Sequence, residues 1–264
     1  MYDFDVFYQK EMNEKLQKDR IDITLQGKSV PMGKVHPLTQ TTNEIVTIFQ
    51  NLGFSLVPSE YAPEVETEYF NFDMLNVPKE HPARDVQDTF YVEGGDNIVL
   101  RSQTSGAQIH AMLEKRPPVR VIAPGRVYRN ENISARKNNL FHQIEGLYID
   151  KNITMSDLIA DVRAFLSRYF GIDNIELRIR PSYFPFTDPS IEIDLKWHGD
   201  KWLEIMGAGM VHPNVLRNCG IDPDMYQGFA FGFGWDRLAM LKYNLPDLRD
   251  LYNNDVRWLR SAGF

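Results

Sequence analysis

Two runs, Ile175-Glu-Leu-Arg-Ile-Arg180 and Ile191-Glu-Ile-Asp-Leu-Lys-Trp197, decide the fold class. In each, apolar and charged residues alternate with a period of two. Successive side chains of a strand point to opposite faces, so each run buries its Ile and Leu and presents Glu, Asp, Arg and Lys on the other side. That is the pattern of an antiparallel sheet with one wet face. The wet face carries both signs of charge, which suits a charged site. Working outward, a helix precedes the first run: Thr154 and Asp157 start it, Leu158, Val162, Phe165, Leu166 and Tyr169 line one face, and Gly171 ends it. Further upstream, Thr41 with Glu44 reads as a capping box for a helix carrying Ile45, Ile48, Phe49 and Leu52, stopped by Gly53. A last helix is expected over about Asp236–Tyr243. The stretch 57–96 reads as irregular with short strands, 4–18 as helix-compatible, and 22–34 as turn-rich, with Gly27, Pro31 and Gly33. These readings give one domain over 34–264 behind an N-terminal extension over 1–33.

The chain has 264 residues, 43% of them apolar and 25% charged, which is ordinary for a soluble globular protein and enough to bury a core without covalent staples. A single cysteine, Cys219, excludes an internal disulfide and fits a reducing compartment. No run approaches the roughly 18 apolar residues of a membrane span, and Met1–Asp5 lacks the layout of a secretory leader. The net charge of −7 argues against a dedicated nucleic-acid binder. The charge is uneven, however. Residues 57–96 hold ten acids against two bases, whereas 114–137 hold seven bases against two acids. The basic stretch is either a solvated face or an anion site.

Several standard signatures are absent. There is no Walker phosphate loop and no Gly-x-Gly-x-x-Gly opening a helix after a strand; Gly232-Phe-Gly234 stands alone. His142 and His212 lack metal-ligand spacing, one cysteine excludes a multi-cysteine zinc site, and no nucleophile elbow is present. If the chain handles ATP, it does so on a sheet.

Five strings fill that gap. Ala123-Pro-Gly-Arg-Val-Tyr-Arg129 followed by Phe141-His-Gln-Ile-Glu-Gly146 resembles motif 2 of the class II aminoacyl-tRNA synthetases, and Gly232-Phe-Gly-Trp-Asp-Arg-Leu238 resembles their motif 3. Arg101-Ser-Gln-Thr-Ser-Gly-Ala-Gln108, Arg180-Pro-Ser-Tyr-Phe-Pro-Phe186 and Gly207-Ala-Gly-Met-Val-His-Pro213 narrow the resemblance to the α subunits of bacterial phenylalanyl-tRNA synthetases, from about Lys15 to the C-terminus. The resemblance implies an α+β fold, an antiparallel sheet flanked by helices. It also implies a cytoplasmic enzyme that activates phenylalanine with ATP and magnesium and transfers it to tRNA(Phe). A β subunit in an (αβ)₂ assembly is the implied partner, with tRNA bound mainly by that assembly and no membrane involved.

Residue roles follow by resemblance. Arg129 contacts the α-phosphate and the substrate carboxylate, a task suited to a planar, permanently charged fork. Glu131 helps bind the nucleotide. Phe141 stacks on adenine, and Arg237 lies on the other side and reaches the γ-phosphate. Gln103, Ser105, Gln108, Gln143 and Glu145 form the polar end near the substrate ammonium. Phe184 and Phe186 pack on the phenyl ring, and Ala230 lies at the pocket floor. Glu192, Asp194 and Glu204 are acids on candidate strands, and Glu204 is the first choice for magnesium. Three departures stand out. Asp236 replaces the usual motif 3 glutamate. Arg136-Lys137 replaces a Thr-His pair in the motif 2 loop. Only about fourteen residues precede the match, so most of the family's N-terminal coiled-coil arm is expected to be missing. The alternative is a paralogue that keeps the fold as a regulatory binding module or as an adenylating enzyme independent of tRNA.

Overall fold

The computed structural model describes residues 4–22, 24, 27, 33–95, 97–197 and 199–262, with 4–6 as backbone only. The chain divides into two units, Met1–Lys34 and Val35–Phe264. The first contains α1 (Phe4–Lys18), an exposed helix; the turn-rich reading of 22–34 falls largely outside the described residues. The second holds everything else. Its N-terminal half runs α2 (Pro37–Asn51), β1 (Ser55–Leu56), β2 (Val65–Thr67), α3 (Glu68–Asn71), β3 (Ile98–Leu100), α4 (Ser105–Glu114), β4 (Val119–Tyr128) and β5 (Leu140–Asp150). It continues with α5 (Met155–Phe170), β6 (Leu177–Phe184), β7 (Thr187–Trp197), β8 (Lys201–Val211), α6 (Pro213–Asn218), β9 (Gln227–Gly234), α7 (Trp235–Lys242), α8 (Asp250–Asn253) and α9 (Val256–Ser261). Among the described residues no helix is long and apolar enough to cross a membrane.

Seven strands form one sheet in the order β1-β4-β5-β9-β8-β7-β6, antiparallel throughout except for the short parallel β1–β4 pair. β2 and β3 form a separate antiparallel pair. The antiparallel sheet expected from the alternating runs is therefore present, and 57–96 is as irregular as its composition implied.

α5 matches its sequence reading. Thr154 and Asp157 form a reciprocal capping box, Gly171 at φ 67° takes the left-handed cap, and all five predicted face residues are buried. α2 corrects its reading. The helix starts four residues before Thr41, at Pro37, because His36 caps it: Leu38 N–H donates to His36 Nδ1 at 3.2 Å. Proline is favoured at the first helical position, where its missing N–H has no partner to lose. Thr41 is instead an interior residue at 0% exposure, and Glu44 takes an ammonium donor from Lys242 at 2.5 Å.

The main core joins α2 and α5 to the back of the sheet through aromatic contacts. Phe49 stacks on Phe165 at 4.6 Å and on Phe231 at 5.2 Å, and Phe165 stacks on Phe233 at 5.0 Å. Such pairs contribute roughly 0.5–1.5 kcal/mol each beyond area burial. β6 departs from simple alternation. Ile175 precedes the strand, and Ile179 is 42% exposed because β6 is the sheet's edge and overhangs the core. Asp194, expected on the polar face, is 1% exposed next to a register shift in β7. Hydrogen bonds from Arg180 and Arg178 hold its carboxyl below the usual range.

Candidate active site

The other face of the sheet is nearly bare at its centre. Glu145 of β5 pairs with Gly232 of β9, which pairs with Gly207 of β8; Ala230 and Gly209 form the adjacent row. Directly opposed residues share a face, so a row of missing side chains leaves space above the strands. A Cβ at Gly232 would lie 3.0 Å from Glu145 Cγ, and one at Gly207 would lie 2.8 Å from the Phe184 ring. The space is a cavity of about 620 Å³, walled by α4, the β6–β7 turn and the segment from Phe72 to Thr89.

Glu145 anchors the polar end. One carboxylate oxygen accepts from Thr104 N–H at 3.2 Å; the other accepts from Ser105 Oγ at 2.5 Å and Gln108 Nε2 at 2.8 Å. Burial pushes its pKa up to about 7, against the opposing pull of Ser105, Thr104, Arg129 and Arg101. Beside it, Gln143 Oε1 is buried without a hydrogen-bond partner. A buried acceptor left unpaired costs about 1–3 kcal/mol, so a donor is wanted there. Arg129 lines the same cavity, with Nε donating to Ser102 O at 3.1 Å and its guanidinium over the Phe141 ring at 5.1 Å. Burial lowers its pKa, and Glu131, Glu145 and Asp88 oppose that. At the other end Phe184 and Phe186 stack at 5.8 Å and 8°. Glu192 and Glu204 line the same cavity.

The cavity therefore gathers Gln103, Ser105, Gln108, Arg129, Glu131, Gln143, Glu145, Phe184, Phe186, Ala230 and Glu204. It does not include two of the predicted site residues. Phe141 is half-buried next to Arg129, and Arg237 is exposed on the first turn of α7.

A family profile described as "tRNA synthetases class II core domain (F)" matches residues 20–262. A phenylalanine–tRNA ligase alpha subunit from Caldicellulosiruptor bescii is 46% identical over 265 residues, covering 96% of this chain and 76% of that protein. One from Haemophilus influenzae is 50% identical over 252 residues, covering 96% and 74%. This chain belongs to the phenylalanine–tRNA ligase α-subunit family. The fold is shared more widely: a pyrrolysyl-tRNA synthetase structure from Desulfitobacterium hafniense superposes with a TM-score of 0.64 at 19% identity, over 92% of this chain and 77% of that one.

Against the pattern of phenylalanine–tRNA ligase α subunits, the aspartate at 236 still makes a supporting contact. It joins motif 3 to motif 2: its carboxylate accepts the His142 backbone N–H at 2.6 Å and lies 3.0 Å from His142 Nδ1. In the motif 2 loop, Lys137 pairs with Glu131 at 2.8 Å. The sequence reading missed a set of supporting residues. Asn71, at the end of α3, donates to Ser102 Oγ at 3.1 Å, accepts from Ser102 N–H at 3.3 Å, and accepts from Gln103 through its carbonyl at 3.0 Å. It thus holds the loop that supplies Ser102 O to Arg129 and Thr104 N–H to Glu145. The apolar end, from Phe72, Leu75, Val77, Met112, Val211 and Val215, was also missed. Met112 was findable, being one turn beyond Gln108 on α4. The residues from the irregular 57–96 stretch carried no periodic signal.

Proposed function

We propose that this chain is the catalytic α subunit of a phenylalanine–tRNA ligase, working in the cytoplasm with a β subunit as an (αβ)₂ assembly. The observation that carries the substrate assignment is the unpaired Gln143 Oε1 beside Glu145, opposite a stacked pair of phenylalanines. An α-amino acid with an aryl side chain complements both ends: its ammonium takes the two acceptors and its ring meets Phe184 and Phe186. An apolar wall rejects tyrosine's extra hydroxyl by only roughly 10²-fold.

The chemistry needs alignment and charge neutralisation more than a protein nucleophile. A carboxylate oxygen of phenylalanine attacks the α-phosphorus of ATP. The bond from that phosphorus to the bridging oxygen breaks, and pyrophosphate leaves with the electron pair. Arg129 grips the incoming carboxylate and an α-phosphate oxygen, spreading charge that grows in the transition state. Phe141 and Arg237 hold the adenine, Arg237 reaches the γ-phosphate, and Glu131 supports the nucleotide. A terminal ribose hydroxyl of tRNA(Phe) then attacks the acyl carbon, and AMP departs.

Among the described residues no group of three acids or histidines gathers for a metal. Of Glu192 and Glu204, Glu204 is the more exposed, and both approach Arg180, at 2.9 Å from Glu192 and 3.5 Å from Glu204. That hard-oxygen pair fits magnesium brought in on triphosphate oxygens, because magnesium needs only one or two protein carboxylates. When bound it would supply charge neutralisation at the departing pyrophosphate.

The deciding assay is phenylalanine-dependent ATP–pyrophosphate exchange by the chain co-purified with its β subunit. Exchange with phenylalanine, and far less with leucine, is expected. No exchange would exclude the catalytic reading; full activity of the chain alone would exclude the need for a partner.

A further inference from the structure

Asp236 is 3% exposed, and its two oxygens meet the backbone N–H and the ring of His142. His142 Nδ1 also lies 3.1 Å from the hydroxyl of Tyr252, which arrives on α8. The imidazole stacks on Trp235 at 4.7 Å and on Tyr252 at 5.8 Å and 10°. Hydrogen-bonding capacity fixes the protons. An ionised carboxylate only accepts, so Nδ1 carries a proton and directs it to Asp236. Nδ1 then has no lone pair for the tyrosine, and the Tyr252 hydroxyl proton is left to the carboxylate. Burial first and then Asp236 raise the Tyr252 phenol well above its ordinary range, consistent with that bond.

We infer that Tyr252 is a positioning residue for the nucleotide end of the site, acting through Asp236. Asp236 immediately precedes Arg237 and bonds the residue that follows Phe141. Its rotamer therefore sets how α7 sits against β5, and with it the spacing of the two residues assigned to the adenine. Aspartate is one methylene shorter than the family's glutamate, and Tyr252 and His142 together hold the shorter acid in place. This rests on the proposed roles of Phe141 and Arg237.

The test is Tyr252→Phe in the chain co-purified with its β subunit. The variant keeps the ring and its stack on His142 and removes one oxygen. The ATP KM in pyrophosphate exchange is expected to rise about tenfold, the usual effect of losing a hydrogen bond to a charged group. The phenylalanine KM and kcat are expected to stay within about twofold. An unchanged ATP KM, or both KM values rising in parallel, would overturn the inference. If the wild type shows no exchange, the catalytic reading fails on its own. ATP affinity by calorimetry then decides: about tenfold weaker binding in Y252F supports the tie, and equal binding overturns it.

Discussion

At the scale of a residue, Glu145 sets the conditions under which the site accepts an amino acid. Its pKa of about 7 comes chiefly from burial, which opposes the charged form. A substrate ammonium needs the ionised carboxylate, so the phenylalanine KM is expected to fall as pH rises from 6 to 8. In Glu145→Gln the pH dependence should vanish and the KM rise by roughly 10- to 100-fold, since a neutral acceptor replaces a charged one. The stability effect follows from the same shift. The folded pKa lies above the unfolded one, so folding holds the proton more tightly. The contribution is fully present below the ordinary glutamate range and is lost as pH rises through about 7. The melting temperature of E145Q should therefore gain on the wild type as pH rises from about 4.5 to about 7, and the difference should level off above that. A flat difference in thermal scans, together with a KM independent of pH in the wild type, would mean that Glu145 is fully ionised throughout.

At the scale of an element, the site depends on what β8 and β9 lack. Gly207→Ala would place a methyl 2.8 Å from the Phe184 ring and force it toward the cavity. Overpacking of this kind costs about 1–3 kcal/mol. The expected result is a phenylalanine KM about tenfold higher, with the ATP KM kept because Phe184 belongs to the ring end; equal effects on both substrates would show that the turn does not act selectively. This dependence also explains what the sequence could and could not disclose. The strands of β7 and the buried face of α5 were legible because their periods are local properties of the chain. The ring end and the polar end were legible only through family motifs, since neither Glu145 nor Phe184 has a distinguishing local pattern. Asn71 was invisible by either route. Its importance lies in reaching Ser102, 31 positions away, a contact that exists only once the sheet has brought the α3–β3 region against α4. The start of α2 was misread for a different reason: a histidine cap before proline competed successfully with a better-known serine/threonine signal.

At the scale of the whole molecule, the basic stretch 114–137 is mostly a solvated face: Lys115, Arg116, Arg126, Arg136 and Lys137 are exposed, and of its bases only Arg129 enters the cavity. Arg120 is bound to Asp161 at 2.6 Å between the rings of Phe54 and Tyr148. Arg126 pairs with Glu64 at 2.9 Å, Lys137 with Glu131 at 2.8 Å, and Arg129 is turned into the cavity. Among the described residues of this stretch, Lys115, Arg116 and Arg136 are the bases without an acidic partner or a place in the cavity. Three such charges on a chain of net −7 make only a weak surface for binding a polyanion. Affinity for RNA falls with salt in proportion to the phosphates neutralised, so three contacts predict a log–log slope of about −2 to −3. The chain alone should therefore bind tRNA in the weak, non-specific range of roughly 10⁻⁴ to 10⁻⁶ M, with that shallow slope between 50 and 200 mM salt. Adding the β subunit should tighten binding and steepen the slope, because the further phosphate contacts would come from the assembly. Filter binding across the salt series measures both. A slope near −6 for the chain alone would mean that the paired arginines release their acids to meet RNA, and that the nucleic-acid surface belongs to this chain rather than to its complex.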